Sequence, residues 1–86
     1  MTNDQPSVVD GLDVNEVKDG LIVYEPKRDF VHYLNATAAV VFTLCDGTQR
    51  SAEISARVAQ AYGLDELPSR EVEACLEQLR KQGLVR

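Results

Sequence analysis

The stretch Tyr33-Leu34-Asn35-Ala36-Thr37-Ala38-Ala39, running on to Leu44-Cys45-Asp46-Gly47, constrains the chain more than any other. A short apolar run, Phe30 to Leu34, ends at Asn35. The Asn side chain can accept a bond from an orphan N–H of a first helical turn. Beyond it Ala38, Val41, Phe42 and Cys45 recur at i, i+3, i+4 and i+7, the spacing of one covered helix face. The run Val40-Val41-Phe42 has mediocre helix propensity, so burial has to support this helix. Asp46-Gly47 predicts its stop, because glycine tolerates the left-handed conformation found at helix ends. The junction therefore predicts a strand feeding directly into a helix.

Upstream of it the chain reads as β structure. Met1 to Val9 is polar and predicts a solvated tail, with a flexible N-terminal segment over 1–12 and one domain over 13–86. Asp13 to Val17 is a short, polar strand candidate. Asp19-Gly20 predicts a two-residue type I′ turn, which needs positive φ at both central positions. Gly20 to Glu25 contains Leu21-Ile22-Val23-Tyr24 and predicts the central strand. Pro26-Lys27-Arg28 breaks it, and Asp29 to Leu34 predicts the third strand.

Downstream the chain reads as helical. Ser51 is expected to cap a second helix whose buried stripe is Ile54, Val58, Ala61 and Tyr62, with Gly63 as its end. Ser69, after Pro68, is expected to cap a third. Val72, Cys75, Leu76 and Leu79 would face inward there, and Gly83 would stop it. Glu71 and Glu73 in its first turn, and Arg80 and Lys81 in its last, suit the helix dipole. The expected class is α+β and winged-helix-like, a three-stranded antiparallel sheet followed by three helices.

Chemistry is scarce. Eighty-six residues leave room for one core. Cys45 and Cys75 sit at apolar helical positions and read as buried free thiols; His32 reads as a surface or edge residue. No nucleophile–base pair or glycine-rich phosphate loop stands out, so no enzyme, metal or cofactor is expected. The start lacks a basic and apolar signal pattern, and no apolar run has the length of a membrane span. A cytoplasmic protein without a membrane partner is expected. Helices two and three can be read as a helix-turn-helix, which makes a winged-helix DNA-binding transcriptional regulator the alternative reading. A net charge of -5 and the acids beginning helix three oppose it, since they would repel phosphates within a Debye length of about 10 Å. No nucleic-acid partner is expected.

The third strand points to binding. Phe30-Val31-His32-Tyr33-Leu34 contains no Lys, Pro or Gly, and in a three-strand meander it is an edge. Either helix three or the tail covers that edge, or a partner peptide adds to it as a fourth strand.

Leu34-Asn35-Ala36-Thr37-Ala38, followed by Leu44-Cys45-Asp46-Gly47-Thr48, resembles the PqqD family. That family's usual pattern is a strand ending in Leu-Asn, a run of small residues, then a Leu-x-Asp-Gly turn. Ala52-Glu53-Ile54 and the closing Glu73-Ala74-Cys75-Leu76-Glu77-Gln78-Leu79 through Gly83-Leu84 fit its second and third helices. Ala38 stands where the family often has Gly, and a Trp frequent in helix one of lasso-type members is missing. The resemblance implies a RiPP recognition element, a peptide chaperone binding the leader of a ribosomally made precursor. Its partners would be that leader and a modifying enzyme, a radical SAM enzyme in pyrroloquinoline quinone biosynthesis or a leader peptidase in lasso-peptide pathways. The resemblance places the leader against the third strand, in a groove shared with the third helix. Carried over, the peptide-binding positions are Phe30, Val31, His32, Tyr33 and Leu34 on the strand, and Arg70, Glu71, Ala74, Cys75 and Gln78 on the helix. A monomer or weak dimer would result.

Overall fold

A hairpin with a two-residue loop begins the sheet in the computed structural model, which describes residues 5–86. Strand β1 (Asp13–Val17) pairs antiparallel with β2 (Gly20–Glu25), and β2 pairs antiparallel with β3 (Phe30–Asn35), in the order β1-β2-β3. Three helices follow: α1 (Ala36–Leu44), α2 (Ser51–Tyr62) and α3 (Ser69–Lys81). The architecture is the expected α+β one.

Two turn details differ from expectation. The β1–β2 loop is Lys18-Asp19, with Val17 and Gly20 as its closing pair. Neither loop residue has positive φ, so the turn is not type I′. Gly20 is required for another reason: a Cβ there would lie 1.8 Å from the Leu34 carbonyl oxygen. Asp29 belongs to the β2–β3 turn instead of the strand. It adopts φ 50, which Asp tolerates better than most residues, and its carboxylate accepts the Tyr24 hydroxyl at 2.7 Å.

Register decides which face of the sheet is inside. Leu21 pairs with Leu34 and Val23 with His32, and all four side chains are buried. The intervening Val31 and Tyr33 are each 57% exposed on the outer face. Helix α1 crosses the inner face and joins the sheet to α2 and α3. The core gathers Leu21, Val23, Val41, Phe42, Ile54 and Leu76 around it, with Leu84 and Val85 closing the end. Full burial of such aliphatic side chains stabilises by roughly 1.5–3 kcal/mol each.

Asn35 caps α1 as expected, its side-chain oxygen accepting from Ala38 N–H at 2.9 Å. The other two caps are corrections. Arg50 and Pro68, not Ser51 and Ser69, precede α2 and α3. At α2 the Glu53 carboxylate accepts the Arg50 N–H at 2.9 Å, reaching back across the first turn. The buried stripe of α2 is Ile54, Ser55, Val58 and Ala59, while Ala61 and Tyr62 are exposed, because the helix ends before that turn meets a neighbour.

Met1 to Asp4 of the expected tail lie outside the described residues. Pro6 to Val9 are not a solvated stretch. Gly47 N–H donates to Pro6, Val8 N–H to Cys45, Val9 N–H to Leu84 and Arg86 N–H to Ser7. This segment ties the end of α1 to the C-terminus, and Pro6 is buried. Such backbone pairing satisfies polar groups that would otherwise lie bare beside Leu84 and Val85.

Candidate functional site

The sheet leaves β3 with one neighbour, and among the described residues nothing pairs with its other edge. Helix α3 packs on α1 and α2 and stands off from β3. In a hairpin with a two-residue loop the closing pair, here Val17 and Gly20, exchanges both backbone bonds. Alternation then directs the backbone groups of Phe30, His32 and Leu34 toward β2, and those of Val31 and Tyr33 toward the open edge.

Between this edge and α3 runs a cavity of about 330 Å³. Tyr33, Leu34 and Asn35 line one wall, Thr37 and Ala38 of α1 the base, and Cys75, Gln78, Leu79 and Gln82 the helical wall. These four fall at i, i+3, i+4 and i+7, one stripe of α3 carried on to its C-cap, Gln82. An adjoining cavity of about 220 Å³ is lined by Arg28, Phe30, His32 and again Gln82. Together they form a groove with an apolar floor and amide groups along its helical rim. A larger cleft, about 650 Å³, lies between the β1–β2 turn and α1. The edge strand beside it, β1, carries Asp13 and Glu16, charges of the kind that guard an edge against pairing.

The ten sequence-predicted positions divide. Tyr33, Leu34, Cys75 and Gln78 line the groove, and Phe30 and His32 its extension. Val31 offers backbone to the edge while its side chain faces outward. Ala74 is exposed beside the helical stripe without lining it. Arg70 and Glu71 lie at the start of α3; Glu71 lines a separate cleft with Leu64 and Leu67. Sequence reasoning missed Arg28 and Gln82. Extending the Cys75–Gln78 stripe by one turn would have found Gln82; Arg28 had no local signal.

His32 is a correction in part: it lies on the edge strand β3, but its side chain is buried and inward-facing, not at the surface. Its Nε2 lies 2.8 Å from Glu25 Oε1, and its ring stacks at a tilt against Phe30 with centroids 4.7 Å apart. Arg28 donates to both Glu25 oxygens, at 2.8 and 2.6 Å, and to the Gln82 carbonyl at 2.9 Å. The Arg28 guanidinium, and then the His32 imidazole, hold the Glu25 carboxyl down at about 2 from its ordinary 4.5. Glu25 is therefore ionised at neutral pH, so His32 Nε2 carries the proton of their bond. This network ties the β2–β3 turn to the end of α3 and so sets the groove's width there. The Gln82 side-chain oxygen, at the meeting point of the two cavities, is buried with no donor among the described residues. Leaving such a group unsatisfied costs about 1–3 kcal/mol.

An acid-stability prediction follows from Glu25. A carboxyl depressed in the folded state stabilises fully above its unfolded value, and that contribution disappears as pH falls toward the folded value. The expected window is pH 4.5 down to about 2. Glu25→Gln is expected to lower the thermal midpoint at pH 7 and to flatten its decline across that window. An acid limb as steep as the parent's would show that the network does not stabilise the fold.

Both cysteines are free thiols, and among the described residues no group of three His, Cys, Asp or Glu side chains converges. Burial pushes the Cys45 thiol up to about 11, and its S–H donates to the Val41 carbonyl. Cys75 is half-buried on the groove wall, its thiol also raised by burial. No helix among the described residues is long and apolar enough to cross a membrane.

Comparison with known proteins agrees with this architecture. No curated protein matches the chain by sequence. The solved structure "TbiB1 in Complex with the TbiA(beta) Leader Peptide" superposes with a TM-score of 0.78, covering 93% of this chain and 94% of that one. The two are 17% identical, so the likeness is one of fold. The family model described as coenzyme PQQ synthesis protein D matches residues 20–85, from the first residue of β2 to Val85. With that match spanning the central strand, the β3 edge and all three helices, the chain belongs to the PqqD family.

Proposed function

We propose that this protein is a RiPP recognition element that binds the leader of a ribosomally made precursor peptide as a fourth strand on β3. The observation that carries the reading is the unpaired β3 edge facing the Cys75, Gln78 and Gln82 stripe of α3 across a groove. Edge backbone supplies main-chain bonds in such a mode, and the groove selects side chains. Leu34, Ala38 and Leu79 offer an apolar seat that offsets the ordering entropy of the leader. The similar fold of TbiB1, solved in complex with a leader peptide, supports a peptide of that class as the ligand.

The protein's part is presentation. It holds the leader so that the attached core meets a modifying enzyme, a radical SAM enzyme or a leader peptidase, at high effective concentration. It does this in the cytoplasm, as a monomer or weak dimer, without a cofactor. The exposed face of α3 suits phosphate poorly, since Glu71, Glu73 and Glu77 interleave its cations and Lys81 lies 3.7 Å from Glu77.

Titration with labelled leader peptides encoded near this chain, read by amide NMR, tests the reading. Saturable binding is expected, with shifts concentrated on 30–35 and 75–82. Retention of duplex DNA in place of any leader would overturn it. Thiol labelling provides a second measure: bound leader is expected to slow maleimide modification of Cys75 severalfold while leaving Cys45, already buried, unchanged. Equal Cys75 rates with and without saturating leader would place the peptide elsewhere.

A further inference from the structure

The connection between α2 and α3 carries a second surface, unrelated to the groove. Leu64 and Leu67 are 47% and 57% exposed, and with Pro68 they line a cleft of about 500 Å³ ringed by Asp65, Glu66 and Glu71. Tyr62, two residues before Leu64, is exposed as well. Adjacent exposed apolar side chains rimmed by charge mark interaction sites more often than scattered ones do. The carboxylates are unspent: among the described residues none of the three makes an ion pair or a side-chain hydrogen bond, and neighbouring Arg70 makes none either. The segment is also held in shape. Gly63 takes φ 63, Leu64 N–H donates to Ala59 at 2.8 Å, and Val72 N–H donates to Pro68 at 2.9 Å.

Resting on the leader-binding reading, we propose that this connection docks the enzyme that processes the captured peptide, through a basic patch with an apolar centre on that enzyme. Charge selects the occupant. A second copy of this chain would set the same acids against each other on a protein of net charge -5, and anionic lipid or nucleic acid would be repelled. Position supports simultaneous use. The α3 wall of the groove runs from Cys75 onward, whereas this cleft reaches only as far as Glu71, one turn or about 6 Å earlier at 1.5 Å of rise per residue, and the two share no lining residue. Leader and enzyme therefore do not compete, and holding both raises the effective concentration of the core peptide at the enzyme.

The test pairs two variants, Leu64→Ser with Leu67→Ser, and Asp65→Asn with Glu66→Gln. Each is titrated with a fluorescent leader and, separately, with the radical SAM enzyme or leader peptidase encoded beside this chain. Both variants are expected to bind leader as the parent does, which also verifies their fold, and to bind enzyme at least roughly tenfold more weakly. Parent docking is expected to weaken between about 50 and 500 mM salt, and the charge-neutral variant to lose that dependence. Parent-like enzyme affinity in both variants would overturn the proposal. So would self-association of the parent in light scattering that the Leu64/Leu67 variant abolishes, since the patch would then be a dimer face. Enzyme docking that depends on this loop, with no leader bound by the parent, would support the docking surface and refute the leader reading.

Discussion

Proline at position 31 is expected to abolish leader capture while leaving the domain folded. Val31 sits on β3 with its backbone directed to the open edge and its side chain 57% exposed on the outer face. The bonds that hold β3 to β2 run through Phe30, His32 and Leu34, so Val31→Pro removes no donor from that ladder. It removes one from the edge where a fourth strand would add, and the ring blocks close approach of another backbone. Losing two or more main-chain bonds at about 0.5–1.5 kcal/mol each, together with that obstruction, is expected to weaken binding by roughly a hundredfold or more. His32→Pro is the opposed control. It deletes an internal ladder bond and the buried imidazole that meets Glu25, and is expected to unfold the sheet. Circular dichroism and a leader titration on both variants decide the matter. Undiminished capture by folded Val31→Pro would refute strand addition.

Gly20→Ala is expected to be the most damaging single methyl in the chain. The added Cβ would meet the Leu34 carbonyl oxygen at 1.8 Å and its carbon at 2.9 Å. Those atoms are backbone and cannot retreat: Leu34 is 4% exposed in the core, and Asn35 beside it caps α1. Relief requires β2 and β3 to part at their register-setting end. A loss of roughly 3 kcal/mol or more is expected. A chain of this length has about 4–13 kcal/mol of stability in all. Gly63→Ala is the comparison, since its Cβ would enter open space and only the φ of 63 is strained. That variant should lose roughly 1–2 kcal/mol. Urea unfolding measures both, and a Gly20→Ala midpoint equal to the parent's would contradict the close approach of the two strands.

What local sequence encodes, it encodes well here. The Asn35 cap, the β-branched run from Leu21 to Tyr24, the helical stripe of Val72, Leu76 and Leu79 and the stop at Gly83 each depend on neighbours within a turn or two. Those signals determine the order of elements and hence that β3 is an edge strand. Where the reading slipped, the competing interaction was also local but weaker. Ser51 and Ser69 had the chemistry of caps, yet they are the first residues of α2 and α3, and the N-cap positions fall one residue earlier, on Arg50 and Pro68. Asp29 continued an apolar run in one dimension, but the four-residue turn needed it in the left-handed region.

The groove needed the tertiary structure. Cys75 reads as core in sequence because it shares a helical stripe with Leu79. Only the standing of α3 away from β3 leaves Cys75, Gln78 and Gln82 as a wall facing the edge. Arg28 reaches the Gln82 carbonyl from 54 positions away, and no periodicity predicts such a pairing. Pro6 to Val9 looked like solvated chain, but they satisfy backbone groups of Cys45, Gly47, Leu84 and Arg86, leaving β3 uncovered by that segment. The physical reason is common to all three. Propensity, capping and hydrophobic period act over a few residues, whereas the partner of a polar group or a strand edge is chosen by whichever distant element the packed core brings within hydrogen-bonding reach.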